Sequence, residues 1–290
     1  MTQSMTGFGK AEGRIGTRVF AIEIRTLNSK QLDLTVRIPG FLREREMAIR
    51  KQATVAISRG KAELFVVYES AGTEGLPQVD QERATHYVSQ LRAIAEQTGQ
   101  QSDNLLPDVL RLPDVVAPVR ESFDEDAWSA FHALIDEALE QLNAFRLKEG
   151  ATLAEDLSTQ IASIAQREST LDAPIAARID RLRKRIQDNL ASVIDPGAID
   201  NNRLEQELIY YIEKLDVHEE RVRLQAHLAH FLEVLEADGT KGKKLGFIAQ
   251  EIGREVNTLG SKANDAGMQH TVVEMKDALE KIKEQVLNVK

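Results

Sequence analysis

Gln31-Leu32-Asp33-Leu34-Thr35-Val36-Arg37-Ile38 alternates without a fault. In an extended chain Leu32, Leu34, Val36 and Ile38 project to one side, and Gln31, Asp33, Thr35 and Arg37 to the other. A period of two with one polar face reads as a half-buried strand. Pro39-Gly40 ends it. Upstream, Val19-Phe20-Ala21-Ile22-Glu23-Ile24-Arg25 alternates in part, carries β-branched residues and reads as a second strand. Downstream, residues 42–57 fit a helix with Leu42, Ile49, Ala53 and Ala56 near one face. Arg59-Gly60 then turns the chain into a last strand at 61–69. Residues 1–70 therefore read as an α+β unit, a small mixed or antiparallel sheet with a helix.

Ala71-Gly72-Thr73-Glu74-Gly75 reads as a boundary, and the chain beyond it is helical nearly to its end. Residues 79–98 and 124–149 read as helices. Pro107 and Pro113 bracket a short element at 108–112. From Leu153 the apolar residues recur mostly at three- and four-residue steps through Leu157, Ile161, Ile164, Leu171, Ile175, Ile179, Leu182, Ile186, Leu190 and Val193. That spacing predicts a long amphipathic arm with a coiled-coil-like seam. Pro174 should kink or split it, and Pro196-Gly197 should end it. Three helices fill the last third: about 201–236, stopped by Asp238-Gly239, then about 244–258 and about 264–288. The expected organisation is 1–70, 71–200 as a helical region with the arm, and 201–290 as a C-terminal helical module.

The absence of cysteine excludes a disulfide framework, a thiolate nucleophile and Cys-ligated zinc, and suits a reducing compartment. Met1-Thr2-Gln3-Ser4 lacks the basic and apolar runs of a signal peptide. No run approaches the roughly 18 apolar residues that span a bilayer. The expectation is a cytoplasmic protein. The net charge of −9 alone argues against nucleic acid as a partner, but the charge is uneven. Residues 1–70 carry 12 Lys/Arg against 7 Asp/Glu, residues 71–200 carry 12 against 23, and residues 201–290 carry 13 against 16. The basic surface is concentrated at the N-terminus, so a local anion-binding face is compatible with the acidic total.

The strongest chemical constellation starts at Asp216-Val217-His218-Glu219-Glu220-Arg221-Val222-Arg223 and continues to His227 and His230. On one continuous helix Asp216, Glu220, Arg223 and His227 share a stripe, with Glu219 and His230 at its margins. Carboxylates can hold Mg²⁺ or Mn²⁺, arginine can fork onto a phosphate, and histidine can move a proton near neutral pH. The same spacing also fits a solvated face of intrahelical ion pairs. A second set, Glu251 and Glu255, stands one helical turn apart and either shares a cation or forms polar surface. Asn257-Thr258-Leu259-Gly260-Ser261-Lys262 reads as a phosphate-binding turn before the last helix or as plain turn chemistry with Gly260 as a helix stop. Lys241-Gly242-Lys243-Lys244 is a short basic loop. Arg25, Lys30 and Arg37 form the best basic patch of the first unit. Gly7-Phe8-Gly9 lacks the third glycine of a nucleotide loop, and His227-x-x-His230 lacks the zinc-protease spacing.

Ser4-Met5-Thr6-Gly7-Phe8-Gly9, Glu23-Ile24-Arg25-Thr26-Leu27-Asn28 with Leu32-Asp33, and Arg59-Gly60-Lys61 resemble blocks of the YicC/YloC family. The densest resemblance is C-terminal: Asp216, Glu219-Glu220, Arg223-Leu224, His227, Lys244-Leu245, Gln250-Glu251, Arg254-Glu255, Asn257-Thr258 and Ser261-Lys262. Two departures stand out. Ser29-Lys30-Gln31 replaces the family's usual His-Arg-Tyr, and Gly246 stands where the family usually has Asp.

The resemblance implies an endoribonuclease cutting single-stranded RNA in RNA turnover or stress adaptation. It also implies a divalent cation, Mn²⁺ or Mg²⁺, and a homo-oligomer, a hexamer. On that footing His227, Arg223 and Glu219 are the expected catalytic residues and Asp216, Glu220, Glu251 and Glu255 the metal ligands. Arg25, Lys30, Arg37, Lys244, Arg254, Asn257 and Lys262 are the expected RNA contacts. A variant of this chemistry needs no metal: His227 activates the RNA's own 2′-OH. The rival from another class is a non-enzymatic scaffold or adaptor of RNA decay.

Overall fold

The computed structural model describes residues 1–70, 77–99, 104–117, 123–192, 201–263 and 265–290. The expected boundary at 71–75 and the expected stop at Pro196-Gly197 lie outside them. The chain divides into two compact units, residues 8–142, and residues 1–7 together with 143–290.

The unit of residues 8–142 is built on a four-stranded sheet of β1 (Gly7–Ile15), β2 (Arg18–Leu27), β3 (Asp33–Arg37) and β4 (Lys61–Ser70), in the order β1-β2-β4-β3. β2 runs antiparallel to β4, with Ile24 opposite Leu64, and β3 runs parallel to β4, with Val36 opposite Leu64. The mixed sheet expected from the alternation is present. A 3₁₀ turn over Gly40–Arg45 precedes α1 (Glu46–Ile57), so the helix starts four residues later than its apolar pattern suggests. Phe20, Ile22 and Ile24 of β2 and Ala62, Leu64 and Val66 of β4 point into the core. Ile49, Ala53 and Ile57 of α1 and Phe131, Leu134, Ile135 and Ala138 of a later helix cover them. Each large apolar side chain buried there contributes about 1.5–3 kcal/mol. β1 was not foreseen, because Gly7, Gly9 and Gly13 dilute its alternation. At Gly9 the reason is steric: a Cβ would overlap the Ala138 carbonyl oxygen, so the strand lies directly on the helix. α2 (Gln81–Thr98), α3 (Leu106–Val109) and the short pair β5 (Gln78–Val79) and β6 (Val116–Ala117) complete the unit.

The helix that covers the sheet, α4 (Glu125–Ser169), passes without a break through 150–152, where two helices were expected to part. Gly150 is not a stop. It is a place where a Cβ would overlap the Thr2 carbonyl. The N-terminal segment runs against α4 and the C-terminal tail: Ser4 N–H donates to Arg146 O at 3.0 Å, Met5 N–H to Asn288 O at 2.8 Å and Lys290 N–H to Gln3 O at 2.9 Å.

α5 (Asp172–Ala191) follows a break at Thr170-Leu171. Pro174 lies in its first turn, where a missing N–H is tolerated, so the proline does split the arm. α6 (Asn201–Leu215), α7 (His218–Glu236), α8 (Gly242–Lys262) and α9 (Ala266–Val286) complete this unit. Its core joins Leu157, Ile161 and Ile164 of α4 to apolar residues of α7, α8 and α9, among them Leu224, Phe231, Ile252, Val256, Val272 and Leu279.

Two expectations are corrected here. The helix foreseen over 201–236 is two helices, parted at Asp216-Val217. The helix foreseen over 244–258 runs on to Lys262, so Asn257 to Lys262 is helix and neither a turn nor a Gly260 stop. Gly260 instead admits Val272 of α9, whose Cγ1 would lie 3.0 Å from a Cβ there.

Candidate functional site

α7 begins without a side-chain cap at Val217, whose buried apolar side chain offers no acceptor. Asp216 supplies one from outside the helix, its Oδ1 accepting the His218 N–H at 3.0 Å. Its backbone carbonyl accepts from Lys262 Nζ at 2.7 Å. Asp216 therefore stands before the stripe it was expected to lead, and the helical part of that stripe begins at Glu220.

Glu220 occupies the first turn of α7, where the helix dipole favours a carboxylate. It is only 8% exposed. Oε1 accepts from Lys262 Nζ at 2.7 Å, and Oε2 is buried without a hydrogen-bond partner among the described residues. Burial pushes the Glu220 carboxyl up. The Lys262 ammonium, a backbone hydrogen bond and the Arg223 charge more than offset this, and it titrates below its ordinary value. The site thus holds an ionised carboxylate in a largely dry setting.

Arg223 lies one turn on and pairs with Glu219, both exposed. His227 is half-buried and has no hydrogen-bond partner among the described residues. His230 faces Glu233 at 3.3 Å. The contact between the first turn of α7 and the last residue of α8, across a short connection, makes the two helices antiparallel. Seven residues, about 10.5 Å, beyond Glu220 on α7 comes His227. Seven residues before Lys262 on α8 comes Glu255, buried like Glu220 at 8% exposure. His227 and Glu255 therefore stand at one level of the helix pair. Glu251, one turn earlier, is answered by Arg254 at 2.8 Å. The expected carboxylate pair of α8 thus divides into one neutralised member and one buried member.

The far side of α7 is fixed by a network centred on one buried carboxylate. Glu168, 3% exposed at the end of α4, accepts from Arg221 Nε at 2.5 Å and Gln225 Nε2 at 3.0 Å, and Arg221 also reaches Asp172 at 2.8 Å. This network holds Glu220 and Arg223 on the opposite face. Arg178 of α5 braces the turn before α7, donating to Leu215 O at 2.5 Å and Lys262 O at 3.5 Å. The sequence patterns do not single out Arg178 or Glu168, and Arg221 stands in the quoted constellation without a role. A basic residue on an otherwise apolar seam was the available signal.

The expected RNA contacts divide in the same way. Lys244, Arg254 and Asn257 are exposed, whereas Lys262 is turned onto Asp216 and Glu220. On the sheet, Arg25 pairs with Glu23 at 3.0 Å and Arg37 lies 5.3 Å from the Phe65 ring centre. Lys30 is exposed. The outward face interleaves these cations with Glu12, Glu23, Asp33 and Glu63, so it is mixed in charge.

No group of three or more His, Asp or Glu side chains that could hold a metal ion occurs among the described residues. The unpartnered Oε2 of Glu220 and the buried Glu255 carboxylate are donors of the hard-oxygen kind. Their levels on the helix pair differ by about 10.5 Å, so they do not share an ion; Glu220 alone suits a cation such as Mg²⁺ that takes one protein carboxylate and completes its shell with water and phosphate oxygens. The two carboxylates do not form a closed cage.

Two family models match: endoribonuclease YicC-like, N-terminal region, over residues 2–155, and endoribonuclease YicC-like, C-terminal, over residues 171–290. Among curated proteins the chain is similar to one from Clostridioides difficile (strain 630), 31% identical over 292 residues. It is also similar to one from Haemophilus influenzae, 31% identical over 297 residues. Both carry the name "Probable endoribonuclease YicC", and each match covers the whole of both chains.

Proposed function

Because this chain belongs to the endoribonuclease YicC-like family, we propose that it is an endoribonuclease that cuts single-stranded RNA at the head of α7. The observation that carries this reading is Glu220: a buried, ionised carboxylate with one oxygen on Lys262 and the other unpartnered. Arg223 and His227 follow it on the same helix.

Such a set does what phosphodiester cleavage requires. Arg223 presents a planar fork to the non-bridging phosphate oxygens. His227 takes a proton from the attacking oxygen or returns one to the leaving oxygen. Lys262 holds Glu220 in its charged form. A divalent cation, Mn²⁺ or Mg²⁺, would be held by Glu220 with Asp216 and would supply neutralisation of the charge developing on phosphate. Glu255 and Glu251 stand about 10 Å and 16 Å further along α8, so they would serve only a second ion or the strand itself. Exposed Lys244, Arg254 and Asn257 would contact the strand, as would Arg25, Lys30 and Arg37 on the other unit.

The hexamer, the role in RNA turnover or stress adaptation and the cytoplasmic setting belong to the same proposal. α6 supports assembly by exposing Ile209, Tyr210, Tyr211 and Ile212. No helix among the described residues is long and apolar enough to cross a membrane.

The test is cleavage of an end-labelled single-stranded RNA by the purified full chain, beside Glu220→Gln and His227→Gln. Internal cuts that vanish in both variants, with their oligomeric state unchanged, support the reading. An intact RNA overturns the reading and leaves the non-enzymatic scaffold; full activity in both variants overturns the site at the head of α7.

A further inference from the structure

α5 carries Arg178, Arg181 and Arg185 at i, i+3 and i+7, so all three fall on one face of the helix. They line a recess of about 180 Å³ together with Leu182, Leu215 of α6 and Asp265 at the start of α9. Three guanidinium groups face one carboxylate. That carboxylate is already engaged: Asp265 Oδ1 caps α9 by accepting from Gly267 N at 3.0 Å and Met268 N at 3.2 Å. Its Oδ2 takes Arg181 Nη1 at 2.7 Å.

The other two cations have no such answer. Arg178 is 9% exposed, and its hydrogen bonds go to the neutral carbonyls of Leu215 and Lys262. Burial pulls its pKa down, and the nearby Asp216 charge only partly opposes this without touching it. Arg185 has no partner among the described residues. A largely buried guanidinium without a contacting anion is costly. A concave site with two surplus positive charges, in a chain of net charge −9, is where an anion would relieve that cost.

Arg178 also ties the recess to the candidate site. Its two acceptor carbonyls belong to Leu215, next to Asp216, and to Lys262, the partner of Glu220. An anion in the recess therefore lies beside the turn that begins α7.

We propose that this arginine-lined recess is a phosphate-binding site which, in the RNA substrate, takes a backbone phosphate away from the bond that is cut. Guanidinium forks match phosphate oxygens, and a second anchored phosphate would fix the strand's register at Glu220 and His227. The identity of the ligand rests on the endoribonuclease reading; the recess itself does not. The recess adds a basic surface outside the N-terminal unit. The local positive charge there comes from α5, inside a stretch whose total, 12 basic against 23 acidic residues over 71–200, hides it.

The test uses the full chain and a 5′-hydroxyl, 2′-O-methyl single-stranded oligoribonucleotide in the presence of chelator, with affinity measured across salt concentrations. Arg185→Gln is the informative variant, because Arg178 braces the fold. Lys184→Gln, its neighbour outside the recess, controls for loss of one charge. Arg185→Gln should weaken binding about three- to tenfold at low salt and lower the salt slope by about one, with Lys184→Gln clearly less affected. Equal effects of the two variants, or none, would overturn the proposal. So would an Arg185 effect seen only with a 5′-phosphorylated strand.

A parallel arm measures thermal unfolding with inorganic phosphate, which stabilises whatever it binds. If the chain neither binds nor cuts RNA, the endoribonuclease reading fails. Stabilisation of the unsubstituted chain that is lost in Arg185→Gln would still uphold the phosphate site. Its absence from both would remove it.

Discussion

Lys262 Nζ lies 2.7 Å from Glu220 Oε1 and 2.7 Å from the Asp216 carbonyl, tying the last residue of α8 to the turn that starts α7. One ammonium thus sets the charge of the buried carboxylate and the path of the chain leading to it. Replacing it tests both. Lys262→Met should cost about 3 kcal/mol at neutral pH by leaving Glu220 buried and unpaired. The folded carboxyl titrates below its ordinary value. The stability it contributes is therefore fully present above the unfolded carboxyl's pKa and is lost as pH falls through the lower folded one. Denaturant titrations should show the wild-type advantage at neutral pH and its disappearance in acid. A constant difference across that range would contradict the pairing.

His227 is half-buried and has no hydrogen-bond partner to lose among the described residues. His227→Gln should leave the thermal midpoint within about 1 °C of the unsubstituted chain. The cleavage rate should fall by about 10²- to 10⁴-fold if the imidazole moves a proton. Unaltered cleavage would remove it from the mechanism.

Chelation separates the two forms of the chemistry. With a cation at Glu220, EDTA should reduce cleavage by at least about tenfold, and added Mn²⁺ or Mg²⁺ should restore it. Cleavage that persists in EDTA and leaves 2′,3′-cyclic phosphate ends would instead assign the attack to the RNA's own 2′-OH.

Gly150 sits inside α4, where alanine is intrinsically favoured by about 1 kcal/mol. A Cβ there would overlap the Thr2 carbonyl. Gly150→Ala should therefore destabilise by about 1–3 kcal/mol, against its propensity. A higher melting temperature would show that the N-terminal segment yields freely.

Arg146 is fully buried, and its Nε and Nη1 have no hydrogen-bond partner among the described residues. Its Nη2 makes a long hydrogen bond, 3.4 Å, to the Met5 carbonyl, and burial lowers its pKa. Arg146→Met keeps the volume and removes the desolvated charge. Stability should stay level or rise by about 1–4 kcal/mol, by analogy with buried ion pairs replaced by apolar residues. A marked loss would mean that the guanidinium has an anionic partner in solution.

Local pattern was enough for much of this protein. The alternation of Leu32 to Ile38 made a strand, and the apolar seam from Leu153 made helices. Pro174 split the arm, and the absence of cysteine excluded thiolate chemistry. The stripe Glu220, Arg223 and His227 was also legible, because residues three and four apart share a helix face whatever surrounds them. These readings depend only on the period of the backbone and on side-chain chemistry.

Packing decided the rest. Gly260 reads as a helix stop in sequence but, like Gly9 and Gly150, is a point of close approach, since a missing Cβ shows its use only when the neighbour is in place. Asp216 left the helix because its carboxylate and carbonyl found the His218 N–H and Lys262. The carboxylates of α7 and α8 took different environments through partners as distant in sequence as Lys262 and as near as Arg254. Arg178 and Arg185 carry no signal of their own along the arm; the fold sets them around a recess. A charge's effect depends on what faces it, and nothing along a single chain states that.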